Sequence, residues 1–80
     1  MPEELTLAHF KVGQLGTITR IEADIDLKHR MAALGLRETC QVLVLRKASL
    51  GGPLHVRVGT TEVIIRRSEA QRIGALPCAS

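Results

Sequence analysis

The sequence predicts a mainly-β domain: a small, partly open barrel of about five strands, with one inserted α-helix and a short helical turn near the C-terminus. Three observations carry that prediction. Short apolar runs alternate with period two, one stretch has helical spacing, and turns rich in Gly or Pro separate them at short intervals. The 80 residues admit one domain, so residues 1–80 read as a single unit with a core over about 5–76. A chain this short buries only about 60–65% of the surface its unfolded form exposes. Nearly every aliphatic side chain must therefore join one core. Phe10 is the only aromatic residue, so that core is made of Leu, Ile and Val.

The elements follow in order. Thr6 is placed to cap a one-turn helix, with Leu7 and Phe10 pointing inward. Gly13 to Gly16 reads as a turn, and Leu15 to Ile21 as a strand whose Thr17 and Thr19 suit the pleat. Asp24 or Asp26 can cap the next helix, where Leu27, Met31 and Leu34 make one apolar stripe. Gly35 fits a left-handed stop, and Leu36 can fold back onto Met31 as in a Schellman end. Lys28, His29 and Arg30 are read in the first turn, where positive charge opposes the helix macrodipole by about 0.3–1 kcal/mol each.

Val42 to Leu45 is apolar on both faces and reads as a central strand that Arg46 and Lys47 end in water. Ser49 to Pro53 is a loop whose glycines allow positive φ and whose proline blocks a ladder bond. Leu54, Val56 and Val58 then face inward and His55 and Arg57 outward. Gly59-Thr60 turns the chain into a strand over 62–66 with Val63 and Ile65 inward. Ser68 and Gln71 have the spacing of a capping box, giving a helical turn through Ile73 that stops at Gly74. Ala75-Leu76-Pro77 reads as an edge strand, where proline is tolerated, and the tail from Cys78 to Ser80 as loose.

Charge is uneven. Residues 1–26 sum to −3 and residues 27–80 to +6. A basic body can meet nucleic acid, anionic lipid or an acidic protein surface, or be an ordinary solvated exterior. No signal peptide and no spanning apolar window are apparent, so a cytosolic location with both thiols free is the simplest reading.

Catalytic chemistry finds no constellation. Cys40 has no histidine nearby in sequence and reads as a small core hydrophobe, and Cys78 lies in the tail, where it cannot be held rigidly. Paired cysteines and an HExxH helix are both missing. Asp26 and His29, spaced i and i+3, together with the solitary His55, are the candidates for a weak Fe2+ or Zn2+ site, and no cofactor is required. Gly51-Gly52 is not followed by the Lys-Ser/Thr of a P-loop, and the stacking aromatics of single-strand nucleic-acid binders are absent. The chain is expected not to be an enzyme.

Six pieces occur in an order and spacing that resemble one known family. They are Lys11-x-Gly-Gln-x-Gly-Thr-Ile18, Asp26-Leu-Lys-x-Arg-Met31, Leu34-Gly-Leu-Arg37 with Val42 to Ala48, Leu50-Gly-Gly-Pro-Leu54, Val58-Gly-Thr-Thr-Glu-Val63 and Arg67-Ser-Glu-Ala70. Together they are similar to the ferrous iron transport protein A (FeoA) family over about Leu5 to Ile73. The resemblance implies a stand-alone SH3-like barrel in the cytosol that works beside a membrane ferrous-iron permease bearing a cytosolic GTP-binding domain. Thr39 and Ser49 depart from the residues the family favours, Gly and Pro respectively. Thr39 is expected to demand a different turn geometry, and Ser49 to leave its loop slightly less rigid.

The expected function is therefore a protein-interaction module that docks on the permease at the inner face of the membrane and modulates its assembly, gating or GTPase domain. The expected contact surface combines Lys28, His29 and Arg30 with the loop Ser49, Leu50, Gly51, Gly52 and Pro53. Arg46, Lys47 and Arg57 are expected to steer an acidic partner toward it. A divalent-metal carrier and a basic nucleic-acid-binding barrel are the alternatives. No nucleic-acid partner and no membrane insertion are expected, and homo-oligomerisation is left open.

Overall fold

A computed structural model describes residues 3–78. One antiparallel sheet carries the fold, built from β1 (Leu5–Thr6), β2 (Leu15–Ile21), β3 (Gln41–Lys47), β4 (Leu54–Val58), β5 (Thr61–Ile65) and β6 (Ile73–Pro77). The spatial order is β1-β6-β2-β3-β4-β5, so the sheet stays open, with β1 and β5 each paired on one side only. Helix α1 (Ile25–Ala33) joins β2 to β3, and helix α2 (Arg67–Ala70) joins β5 to β6. The partly open barrel is as expected, with six strands instead of about five.

The extra strand is β1, which pairs Leu5 with Ala75 and Thr6 with Gly74. A single 3-10 turn, Leu7–His9, follows it and buries Leu7 and Phe10 completely. Thr6 occupies the cap position, but its hydroxyl lies 2.7 Å from His9 Nδ1 and caps no backbone N–H.

Gly16 belongs to β2, not to the turn before it, which centres on Val12 and Gly13. The Phe10 ring lies so close that a Cβ on residue 16 would sit 2.4 Å from Phe10 Cε2. The one aromatic residue of the core therefore needs a glycine opposite it. Phe10 joins Ile18, Met31, Leu36, Val42, Val44, Leu54, Val56, Ile65 and Ile73 in a single buried cluster.

Asp24 caps α1, its Oδ1 accepting from the Leu27 N–H at 2.9 Å. Lys28 closes the first turn, its N–H on Asp24 O at 3.0 Å, and only His29 and Arg30 lie beyond it, so the predicted clash with the macrodipole is confined to Lys28. Of the predicted stripe, Met31 is buried and Leu27 half-buried, while Leu34 stays exposed. The stop is a Schellman end. Gly35 has φ +91°, its N–H reaches Ala32 O at 3.0 Å, and Leu36 N–H reaches Met31 O at 2.9 Å.

The turn Arg37–Cys40 carries Thr39 at φ +75°, with Cys40 N–H on Arg37 O at 3.2 Å. Thr39 thus adopts the left-handed conformation that glycine takes most readily. Its N–H donates to Ile18 O at 2.7 Å, which holds the turn against β2.

Further corrections concern the C-terminal third. β5 ends at Ile65, and α2 begins at Arg67 with Arg66 as its cap, two residues before the predicted Ser68. Glu69 Oε1 accepts from the Arg66 N–H at 3.0 Å and so occupies the position assigned to Gln71. Ile73 and Gly74 are strand residues, and β6 lies inside the sheet between β1 and β2. Pro77 is tolerated there because β1 spans only Gly74 and Ala75, leaving Pro77 a strand on one side alone. Cys78 is not loose: its N–H donates to Leu15 O at 2.8 Å and its Sγ lies 3.6 Å from Thr17 Oγ1. The rest of the predicted tail, Ala79 and Ser80, lies outside the described residues.

Candidate docking surface

Helix α2 and the loop between β3 and β4 form one rim. The loop turns through Leu50 at φ +59° and Gly51 at φ +75°. A Cβ on Gly52 would meet Ala48 Cβ at 2.6 Å, so the chain doubles back tightly there. Arg67 clamps the turn from α2. Its Nε donates to Gly52 O and its second nitrogen, Nη2, to Ala48 O, each at 3.0 Å. The two bonds hold the ends of the loop that carries Ser49. Leu50 projects at its tip with a relative exposure of 105%.

Beside this loop, Gly51, Gly52, Pro53, Arg66, Arg67, Ser68 and Gln71 line an open hollow of about 510 Å³. Glu69 connects the rim to α1, since its Oε2 accepts from Arg30 while Oε1 holds the Arg66 N–H. Three segments therefore meet: the loop, α2 and the Arg30 side of α1. The sequence offered residues of the first and third as contact candidates and none of α2, whose Arg67 acts on residues 15 and 19 positions away.

The other predicted contact residues separate. Lys28, His29 and Arg30 are all exposed, but successive residues point about 100° apart around a helix, so they share no face. Only Arg30 reaches α2. Lys47 does not end its strand in water. Its Nζ donates to Ala8 O and Phe10 O at 2.9 Å each and pins the 3-10 turn to β3. Arg57 is paired with Glu62 at 3.3 Å, and His55 Nε2 lies 2.8 Å from the other oxygen of Glu62. The hydrogen bond from Arg57 is the main cause that holds the Glu62 carboxyl below its ordinary range. Arg46 is exposed and has no ion-pair or hydrogen-bond partner among the described residues.

Asp26 and His29 lie on α1, and His55 lies on β4 against Glu62. Among the described residues no group of three or more His, Cys, Asp or Glu comes together as a metal ion would require. Cys40 is half-buried rather than a core residue and lines a second hollow with Gly35, Gln41 and Val58. No helix among the described residues is long and apolar enough to cross a membrane.

The profile of the FeoA domain matches residues 5–75. No curated protein sequence matches the chain. Among solved structures, a FeoA protein from Chlorobium tepidum is 31% identical, with a TM-score of 0.87, 94% of this chain covered and 71% of that one. An iron uptake regulatory protein, also a FeoA, is 20% identical with a TM-score of 0.88, covering 95% of this chain and 100% of that one, and it bears on the fold alone. A zinc-complexed FeoA from Stenotrophomonas maltophilia, described as a prokaryotic SH3 domain protein, is 27% identical with a TM-score of 0.72. That match covers 89% of this chain and 88% of the other. The open sheet described above is thus the SH3-like fold.

Proposed function

Because the chain belongs to the FeoA family, whose domain profile spans residues 5–75, we propose that it is a cytosolic, non-enzymatic accessory of ferrous-iron uptake. It acts by docking on the cytosolic portion of a membrane ferrous-iron permease. The family ties the chain to ferrous iron transport, and the geometry of the rim supports the docking part of the reading. The observation that carries the reading is Leu50, an apolar side chain left wholly in solvent on a backbone conformation that disfavours it. An L-residue other than Gly or Asn in that conformation costs about 1–2 kcal/mol. The Arg67 clamp holds it there. A rigid apolar knob beside a hollow has the form of an interface anchor, because little entropy remains to be lost on contact.

Basic groups around the rim suit an acidic docking surface. Arg66 and Arg46 are exposed, and Lys28 lies exposed on the neighbouring helix. Such charges raise the encounter rate and fix orientation more than they add affinity. The expected consequence is docking whose on-rate falls with salt while the dissociation rate follows Leu50. Co-purification of the permease with the tagged chain, alongside iron uptake in a strain lacking it, tests the reading. Uptake and complex formation that survive loss of the chain would contradict it.

A further inference from the structure

The outer edge of β5 is open. Strand β5 pairs with β4, and among the described residues Thr61–Ile65 make no backbone hydrogen bond on the other side. Which groups are free follows from the hairpin. Val58 and Thr61 flank a two-residue loop in which Gly59 has φ +61° and Thr60 does not have positive φ. That is the pattern of a type II′ turn. In such a hairpin the flanking pair exchanges both hydrogen bonds, and bonded and non-bonded pairs then alternate. Val56–Val63 and Leu54–Ile65 are therefore bonded pairs, and Arg57–Glu62 and His55–Ile64 are not. The N–H and C=O groups of Glu62 and Ile64 point away from β4, into the open edge.

The side chains above those groups form rows. Arg46 registers with His55, and His55 with Ile64, so one row crosses β3, β4 and β5 and ends at the edge. Ile64 is 68% exposed there. Arg46, Pro53, His55 and Ile64 border a hollow of about 300 Å³. The next row ends on Glu62, joined to Arg57. On the far side of Ile64 stands the exposed side chain of Arg66, without an ion-pair partner among the described residues.

We propose that this edge accepts an extended segment of a partner protein as an added seventh strand, antiparallel to β5. The rows specify its outward-facing chemistry at alternate positions. From its N-terminus it carries a carboxylate beside Arg66, a β-branched aliphatic side chain beside Ile64, and a Lys or Thr beside Glu62. Main-chain bonds to Glu62 and Ile64 supply affinity, and the three side chains supply register. A second copy of this chain fits less well. Two-fold pairing that uses the Glu62 and Ile64 groups of both copies sets each Glu62 opposite the other copy's Ile64, charge against hydrocarbon. Pairing centred on Ile64 brings each Glu62 to the other copy's Arg66 instead, but the Arg66 N–H is already given to Glu69 and its C=O already accepts from Glu69 and Ala70, so the Glu62 groups are left unbonded. The proposal rests on the sheet edge alone and is independent of the docking reading above.

The test uses the full chain labelled for NMR and the peptide acetyl-Ser-Glu-Thr-Val-Thr-Lys-Ser-amide. In the free chain the amides of Val63 and Ile65 should exchange slowly with solvent and those of Glu62 and Ile64 rapidly. The peptide should slow exchange at Glu62 and Ile64. Methylating the peptide's valine nitrogen should weaken binding to the unaltered chain about tenfold. Ile64→Pro removes an N–H that β4 does not use, so the hairpin should persist while affinity falls by about the same factor. Unchanged exchange at Glu62 and Ile64 with the peptide, or equal binding of the methylated peptide, overturns the proposal. Protection that grows with protein concentration in the absence of peptide overturns it too, by assigning the edge to a second copy.

Discussion

The guanidinium of Arg67 donates from Nε to the carbonyl oxygen of Gly52 at 3.0 Å, and its second nitrogen, Nη2, reaches Ala48 O at the same distance. A four-residue helix thereby sets the shape of a loop about fifteen positions earlier in the chain. Both bonds go to main-chain carbonyls, so the clamp acts on the backbone whatever side chains the loop displays. Arg67→Ala should lower stability by about 1–3 kcal/mol in urea unfolding, since hydrogen bonds from a charged group contribute more than neutral ones. Arg67→Lys should recover little of it, because Gly52 O and Ala48 O are reached from two separate nitrogens of the planar guanidinium and an ammonium offers only one. Amide exchange at Gly51 and Gly52 should quicken in both variants.

Lys47 and Arg46 are neighbours with opposite roles. Lys47 bonds Ala8 O and Phe10 O, whereas Arg46 meets solvent. Lys47→Met should cost about 1–3 kcal/mol of folding stability, as two carbonyls lose a charged donor. Arg46→Met should stay within about 0.5 kcal/mol of the parent. Urea titrations of the two variants side by side check the contrast, and similar losses in both would count against it.

The Gly35 stop and the Gly59-Thr60 turn were legible in the sequence because each rests on contacts within a few residues, and the strand Leu15–Ile21 because its own residues alternate, although its pairing partners lie far along the chain. β1 was not, since two residues, Leu5 and Thr6, show no period. Ile73-Gly-Ala-Leu-Pro77 does not alternate cleanly and contains two residues that normally weaken strands. The space at its Gly74 is set from outside the strand, where a Cβ would meet the side chains of Glu4 and Arg20 at 2.8 and 2.9 Å. In the site, the exposed loop could be read from Gly51, Gly52 and Pro53. The Lys47 anchor and the Arg67 clamp could not, because their partners lie 15 to 39 positions away.

Thr39 carries a β-branched side chain at φ +75°, where glycine avoids the steric cost. Relief of about 1–2 kcal/mol is partly offset by the greater freedom of glycine in the unfolded chain. Thr39→Gly should therefore stabilise the fold by roughly 0.5–1 kcal/mol. A rise in the urea midpoint at unchanged slope is the expected record.

Acid should weaken the fold in part through Glu4. A hydrogen bond from Thr19 is the largest cause that holds its carboxyl below the ordinary value of 4.5, followed by one from Arg20. A carboxyl with a lowered folded pKa stabilises the native state above the unfolded value and loses that contribution as pH falls through the folded one. Stability should therefore decline below about pH 4.5, and Glu4→Gln should flatten that decline while lowering stability at pH 7. Urea midpoints measured from pH 7 to pH 3 give both slopes. An identical acid slope in Glu4→Gln would show that other carboxylates govern it.

The central claim is that Leu50, held outward by the Arg67 clamp, anchors the chain on a ferrous-iron permease. Leu50→Asn tests it most directly, because Asn tolerates positive φ and removes the apolar knob without disturbing the fold. The measurement is quantitative retention of the detergent-solubilised permease by the tagged chain, with thermal unfolding run in parallel. The account predicts that Leu50→Asn unfolds at or above the parent temperature and retains about tenfold less permease, a loss of roughly 1.4 kcal/mol in binding. Equal retention by the parent and Leu50→Asn, or no retention by the parent, would contradict it.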